Sequence, residues 1–279
     1  MKAIANQTIL ITGSTDGIGK QTAHDLAKMG ATVLLHGRSR EKAESVLDEI
    51  QLTTGNNKLK YYLADLSSLT EVRRLSEAVR ADHKYLDVLI NNAGIGTGKR
   101  TNTTRELSQD GYELRFAVNY LAPFLLTHLL LPSLRHITPT RIVNVASVGQ
   151  SPLNFDDVML EQQYDPMKAY CQSKLALIMF TFDLAEQLKH EQITVNSLHP
   201  GSRLDTKMVR EMFDSAWGNV QSGVDAVVYV ATAPELESVT GKYFDQKDEE
   251  QAIAQAYDCE AQTKLWRLSE TLTKLSVLH

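Results

Sequence analysis

The 279-residue chain predicts an α/β fold in which about seven strands form a parallel sheet with helices on both faces. Two observations carry this. Short apolar runs alternate with longer helical patterns along the whole chain, as strand–helix–strand crossovers require. The first run, Thr8-Ile9-Leu10-Ile11, also leads through Thr12-Gly13-Ser14-Thr15-Asp16-Gly17-Ile18-Gly19-Lys20 into a helix, giving a strand, a glycine turn and a helix start in sequence. Strands are predicted near Thr8 to Ile11, Thr32 to Leu35, Leu59 to Leu63, Asp87 to Ile90, Arg141 to Val145, Thr194 to Leu198 and Lys242 to Phe244. No linker, repeat, low-complexity segment or charge block divides the chain, so residues 1–279 read as one domain.

The glycine turn has its own chemistry. Glycines permit the tight bend and let backbone amides approach a pyrophosphate, which the positive end of the following helix also attracts. Three glycines alone could be a plain loop, but the strand before and the helix after supply the context the motif needs.

A second signal is Tyr170-Cys171-Gln172-Ser173-Lys174, which opens a helical run containing Leu175, Leu177, Ile178, Phe180, Phe182, Leu184 and Leu188. Tyr170 and Lys174, four residues apart, share a helix face, so the ammonium can stabilise the ionised phenol and bring it toward neutral pH for acid or base work. The same spacing occurs at Tyr164 to Lys168 and at Tyr243 to Lys247. Pro166 interrupts the first pair at a helix entrance. The second lies in a strand-like segment, where four-residue spacing places nothing together.

Composition excludes several function classes. A net charge of −5 without a basic stripe argues against nucleic acid or an anionic membrane surface as main partner. Cys171 and Cys259 lack metal-ligand spacing, which predicts neither a disulfide framework nor a metal and favours a reducing cytoplasm. No signal peptide or run of about 20 apolar residues is apparent, and Leu125 to Leu131 is interrupted by Thr127 and His128, so no membrane span is expected. The eight histidines form no H-E-x-x-H motif; His199 reads as strand-end packing, and Asp156 and Asp157 as loop carboxylates.

From about Gln7 to Ala233 the chain resembles the short-chain dehydrogenase/reductase family. Its ordered matches are Gly13, Gly17 and Gly19; Asp65-Leu66; Asn91-Asn92-Ala93-Gly94; Asn119; Ser147; Tyr170 with Lys174; and Pro200-Gly201. The wording of 116–126 and 141–147, with Asn154-Phe155-Asp156-Asp157 and the long interval from Ser147 to Tyr170, resembles the retinol-dehydrogenase-like branch. The resemblance implies a Rossmann-type doubly wound sheet that binds a nicotinamide dinucleotide where strand order reverses. It also implies cofactor contacts from Gly13, Ser14, Thr15, Asp16, Gly17, Ile18, Gly19, Arg38, Asp65, Leu66, Asn91, Ala93, Gly94, Tyr170, Lys174, Pro200 and Gly201. The catalytic set it implies is Asn119, Ser147, Tyr170 and Lys174. Tyr170 would exchange the proton, Lys174 would stabilise the phenolate and bond the nicotinamide ribose, Ser147 would polarise the substrate oxygen, and Asn119 would hold a water leading to solvent.

Cofactor choice is read after the second strand. Gly37 occupies the place where NAD-preferring relatives carry a carboxylate, and Arg38 can offer a fork to the ribose phosphate of NADP, so NADP is expected over NAD. The alternative is a solvated Arg38 beside Arg40. Asp16 departs from the basic residue some NADP-dependent relatives carry there.

Residues 202–222 are read as a substrate lid, with Leu153, Met208, Met212, Phe213 and Trp217 as apolar walls; core packing or a subunit contact fits Met208, Met212, Phe213 and Trp217 equally. The resemblance offers Thr206 as the family's threonine near the cofactor carboxamide, although the segment Gly201 to Thr206 is one residue longer than the common family form. Arg203, Lys207 and Arg210 read as solvated or cofactor-facing, so a small apolar carbonyl or alcohol is the expected substrate. The helices around Gly111 to Leu131 and Tyr170 to Lys189 carry more apolar surface than one sheet face needs, which predicts a homodimer. The other class of function compatible with the chain is a catalytically silent dinucleotide-binding regulator.

Overall fold

A computed structural model describes residues 2–99, 103–135, 139–213 and 215–275, so residue 214 of the expected lid lies outside the described residues. The strands are β1 (Thr8–Ile11), β2 (Thr32–Gly37), β3 (Leu59–Leu63), β4 (Val88–Asn91), β5 (Thr140–Val145), β6 (Ile193–His199), β7 (Lys242–Asp245) and β8 (Asp248–Glu250). They form one sheet in the order β3-β2-β1-β4-β5-β6-β7-β8, parallel except for the antiparallel β7–β8 pair. The eighth strand was absent from the sequence expectation. It consists of three exposed acidic residues turned back by Gln246 at φ 55, and so lacks the apolar alternation that marks a strand.

The helices are α1 (Gly17–Lys28), α2 (Arg40–Thr54), α3 (Leu69–Asp82), α4 (Leu114–Phe116), α5 (Ala122–Leu134), α6 (Pro166–Gln187), α7 (Lys207–Met212), α8 (Val220–Thr232) and α9 (Cys259–Thr273). Each strand residue faces the layer opposite its neighbour's, as the two-residue strand period demands. Ile9 and Ile11 pack with Leu26 of α1, Ile50 of α2 and Val227 of α8. Leu10 packs on the other face with Val72 of α3, Leu125 of α5, Leu177 of α6 and Leu265 of α9.

Polar caps set where the site-bearing helices begin. The Asp16 carboxylate accepts from Gly17 N at 2.7 Å to start α1, so the residue that departs from the basic family pattern serves as a helix cap. Asp165 accepts from Lys168 N at 2.6 Å and Pro166 takes the first helical position, so α6 starts four residues before Tyr170.

Helices α5 and α6 are apolar nearly all round, but the surplus is covered within the chain. Trp266 of α9 lies 5.3 Å from Phe124, 5.1 Å from His128 and 6.1 Å from Phe180, ring centre to ring centre. Tyr120 and Ser269 share a hydrogen bond of 2.5 Å. The apolar face that motivated the homodimer expectation is therefore occupied by α9. Residues Leu114–Leu134 run as one continuous helix whose apolar sequence is interrupted by polar Arg115, Asn119, Thr127 and His128, and its most apolar window, of mean hydropathy 1.4, is 89% buried inside the fold.

Candidate active site

The carboxyl ends of the parallel strands bring the glycine turn and the loops after β4 and β5 to one edge of the sheet, beside the order reversal between β1 and β4. Gly13 (φ 65) and Gly17 (φ 53) adopt left-handed conformations in the turn after β1. A Cβ on Gly13 would stand 2.8 Å from the Cα of Ala93, and one on Gly19 would collide with Gly13 O and the Asn92 amide, so only glycine lets α1 and the loop after β4 close on the turn. Thr12 Oγ1 accepts from the backbone amides of Asn92 and Ala93, both at 3.0 Å, while Asn92 Nδ2 donates to Thr12 O at 2.9 Å and Gly13 O at 3.1 Å.

Two turn-ordering residues stood outside the expected set, Asn92 and His36. The His36 ring accepts from Gly13 N at 3.1 Å and meets Ala64 O at 3.2 Å, which suits a neutral ring, and burial lowers its pKa to about 4. Asn92 lay within a quoted motif, whereas nothing in the local sequence distinguishes His36 from an ordinary strand histidine.

The side chains of some expected cofactor contacts are committed within the protein. Ser14 is buried and its hydroxyl donates to Ile11 O at 3.0 Å while accepting from His36 N at 2.8 Å, so its side chain holds the turn from within. The side chain of Asn91 also points into the core, donating to Thr127 Oγ1 at 3.0 Å and Asn144 Oδ1 at 2.8 Å. Leu66 belongs to the core. Asp65 stays half-buried at the edge, with one carboxylate oxygen accepting from Ser67 N at 2.9 Å.

At the end of β2, Gly37 ends the strand against Thr15: a Cβ there would stand 2.5 Å from Thr15 Cγ2. Arg40 is engaged by Tyr61 Oη at 2.8 Å and by Glu44 at 3.6 Å, while Arg38 is exposed at the strand end. A bare turn at a helix start and an exposed arginine at the end of β2 fit a nicotinamide dinucleotide.

Lys174 Nζ lies 5.9 Å from the centre of the Tyr170 ring and donates to Val145 O at 2.8 Å. A Cβ on Gly94 would sit 3.3 Å from both Lys174 Nζ and Asn119 Oδ1, so glycine there leaves these groups clear. Asn119 sits in a π-helical turn, Ala117–Leu121, between α4 and α5, an irregularity common at functional sites. Its Oδ1 accepts from Ile95 N at 2.8 Å and its Nδ2 donates to Ile95 O at 3.0 Å and Ser173 Oγ at 2.9 Å, which locks the loop after β4 onto α6. Ser147 Oγ accepts from Gly149 N at 3.0 Å.

Burial raises the Tyr170 phenol above its ordinary value, with a hydrogen bond from Ser147 acting in the opposite direction; burial lowers Lys174 to about 8. The lysine was expected to draw the phenol toward neutrality. Burial acts the other way and favours the protonated phenol, the form that can donate a proton.

The other two tyrosines are engaged by other partners. Tyr164 precedes α6, and its hydroxyl accepts from Arg115 at 2.6 Å. Tyr243 is buried on β7, and Lys247 lies 5.8 Å from the ring of Tyr229 instead.

Beyond Pro200 and Gly201 (φ 129), a strap crosses the site. Arg203 takes φ 54, and its carbonyl accepts from Trp217 N at 3.1 Å and Gly218 N at 2.8 Å, which closes the strap into a loop. Thr206 caps α7 by accepting from Val209 N at 3.3 Å, and its Cγ2 would lie 3.6 Å from a Cβ on Gly17, so the longer segment still delivers Thr206 to the glycine turn. Met208 and Met212 press on Gly96. Of the expected walls, Leu153 and Met212 are buried, but Trp217 is 73% exposed and outside α7, where its amide rather than its indole holds the strap. The strap's cations are locally neutralised or stacked: Arg210 pairs with Asp205 at 2.7 Å, Lys207 with Glu211 at 3.8 Å, and Arg203 lies 3.6 Å from the centre of the Phe213 ring.

The short chain dehydrogenase family profile matches residues 7–217, and the chain belongs to that family. It is an oxidoreductase of the nicotinamide-dinucleotide type. Retinol dehydrogenase 13 of Mus musculus is 36% identical over 293 residues, covering 99% of this chain and 86% of that protein; retinol dehydrogenase 11 of Homo sapiens is 36% identical over 285 residues, covering 98% and 88%. Within the family the chain falls in the retinol-dehydrogenase-like branch. Among solved structures, an uncharacterized protein from Mycobacterium paratuberculosis superposes with a TM-score of 0.80 at 30% identity, covering 98% of this chain and 96% of that one. The Pseudomonas aeruginosa RhlG/NADP active-site complex gives a TM-score of 0.70 at 27% identity, covering 88% and 97%.

Proposed function

We propose that this protein is an NADP(H)-dependent oxidoreductase that reduces small apolar aldehydes or ketones to alcohols, with Tyr170 as proton donor. The observation that carries this reading is the buried Tyr170 phenol beside Ser147, with Lys174 Nζ 5.9 Å from its ring centre one helical turn away. The bound nicotinamide supplies the hydride. Ser147 and Tyr170 donate hydrogen bonds to the carbonyl oxygen, and as negative charge develops there Tyr170 transfers its proton. The Lys174 ammonium then stabilises the phenolate and bonds the nicotinamide ribose, and Asn119 fixes the loop that carries Gly94. A water held at Asn119 is the proposed route for returning a proton to Tyr170.

Preference for NADP rests on Arg38 and on Gly37 carrying no carboxylate, and the NADP complex of the Pseudomonas relative is in keeping with it. An apolar substrate fits the methionine strap and the local neutralisation of its cations. The free thiols of Cys171 and Cys259 suit a cytoplasmic setting. A homodimer, if formed, uses a surface other than the α5–α6 face that α9 covers.

The test is oxidation of NADPH and of NADH with a panel of apolar and anionic carbonyl compounds, run in both directions. NADPH-driven reduction of apolar members is expected. Tight NADPH binding without turnover would make the protein a silent dinucleotide-binding regulator, and preference for an anionic substrate would overturn the apolar reading.

A further inference from the structure

Next to the reacting groups lies a second buried polar cluster that the chemistry does not use. Arg115, at the start of the helix leading to Asn119, is 2% exposed, and Glu113 is 1% exposed. Arg115 Nη1 donates to Tyr164 Oη at 2.6 Å and pairs with Glu113 Oε1 at 3.4 Å; Nη2 pairs with Glu106 Oε2 at 3.4 Å. Its Nε donates to Gly96 O at 3.1 Å and its Nη2 to Thr97 O at 2.8 Å. Tyr164 Oη donates to the same Glu113 oxygen at 3.2 Å, and the second Glu113 oxygen accepts from Phe116 N at 2.7 Å. A guanidinium and a carboxylate removed from water persist only when paired and hydrogen-bonded this fully.

What the cluster grips is the loop after β4. Gly94 lies against Lys174 and Asn119 at one end of that loop. At the other, Gly96 lies so close beneath the strap that a Cβ would stand 2.5 Å from Met212 Sδ and 2.8 Å from Met208 Cγ. The carbonyls Arg115 holds therefore belong to the segment joining the catalytic lysine to the methionine strap. Tyr164, just ahead of α6, ties the same guanidinium to the helix that carries Tyr170.

We propose that Arg115, with Glu113 and Tyr164, is a positioning group that fixes the Gly94–Thr97 wall against Met208 and Met212, and so sets the size of carbonyl compound the site accepts. This rests on the oxidoreductase reading above. The guanidinium is neutralised by Glu113 and turned onto backbone carbonyls, so it sets the wall's position without offering a cation to substrate. Tyr164, one of the two tyrosines set aside as an acid or base, acquires a role through its hydroxyl.

The test uses the full-length protein with Tyr164→Phe, which removes one hydroxyl and keeps the ring, and Gly96→Ala, which displaces the methionines without touching Arg115. Hydrogen exchange is followed in peptides spanning 94–99 and 207–213, with kcat and KM for a short and a bulky apolar aldehyde, and NADPH affinity. Tyr164→Phe is expected to speed exchange in 94–99 and to raise KM for the bulky aldehyde by about tenfold or more, the size of one lost charge-assisted hydrogen bond, with kcat and NADPH affinity within about twofold. Gly96→Ala should shift the ratio of the two KM values while leaving Lys174-dependent chemistry intact. Unchanged exchange in 94–99 for Tyr164→Phe overturns the proposal, as does faster exchange with an unchanged KM ratio, or a loss of NADPH affinity in step with KM. If the wild-type protein turns over no carbonyl compound, the functional reading fails by itself, and exchange still decides whether Arg115 and Tyr164 hold the wall.

Discussion

Raising the pH should silence the enzyme through Lys174. Burial lowers this amine from 10.5 to about 8, which at roughly 1.4 kcal/mol per pH unit is about 3 kcal/mol against the buried charge. Its hydrogen bond to Val145 O leaves that charge unneutralised by a carboxylate. At about pH 7 the ammonium outnumbers the amine roughly tenfold, and at about pH 9 the ratio reverses. Tyr170 is held above its ordinary value, so it stays protonated through this window, and the lysine alone loses its proton there. The perturbation is therefore pH itself, and the assay is kcat/KM for NADPH at saturating aldehyde, which reports the cofactor-free protein. The value should fall about tenfold per unit above pH 8 as the charge that stabilises the phenolate is lost. Gly94→Ala, whose methyl would lie 3.3 Å from Nζ, should move the falling limb to lower pH by further desolvation. Lys174→Arg keeps its charge throughout and should lose the limb, whatever rate remains. A level profile to about pH 10, or a limb at the ordinary lysine value, would refute the reasoning.

Tyr170→Phe should lower kcat by a factor of about 1,000 or more, the scale of a lost general acid together with its oxyanion donor, while fluorescence titration finds NADPH binding intact. Loss of NADPH binding in that variant would place Tyr170 in the cofactor site alone. Arg38→Ala should weaken NADPH by about 2 kcal/mol and leave NADH nearly unchanged, as a lost charge-assisted hydrogen bond would; equal wild-type affinities for the two cofactors would sink the assignment. A carboxylate at position 37 has no room beside Thr15, so Gly37→Asp should select NADH only when combined with Thr15→Ala, as competitive binding would show. Trp266→Ala should cost about 3–5 kcal/mol, or roughly 10 °C in Tm, by opening the pocket against Phe124, His128 and Phe180. Self-association of that variant by light scattering, with a monomeric wild type, would show α9 to be the cover of this face; a dimeric wild type that α9 truncation leaves dimeric would show it is not.

The sequence alone determined the layered sheet, the glycine turn and the pairing of Tyr170 with Lys174 on one helix, because each is written in short-range chemistry. Alternating strands and helices, Gly13, Gly17 and Gly19, and the four-residue step from Tyr170 to Lys174 all act within a few residues of one another. Pro166 was enough to set Tyr164 outside the helix interior, and strand spacing was enough for Tyr243.

Tertiary structure decided what depends on residues distant in the chain. Whether Tyr170 rests as phenol or phenolate is set by how much water the rest of the fold excludes, and no local pattern records that. Ser14 and Asn91 carry side chains suited to a cofactor contact, yet packing turns them inward to His36 and Ile11, and to Thr127 and Asn144. The apolar surplus on α5 and α6 was legible, but its cover was not, since Trp266 reaches it from the far end of the chain. Arg115 carried no signal because its partners, Gly96, Thr97, Glu106, Glu113 and Tyr164, come together only when the loop after β4 closes over the start of the helix. Local propensity acts through neighbouring residues, whereas burial, pairing of charges and the fit of a wall depend on the whole packed chain.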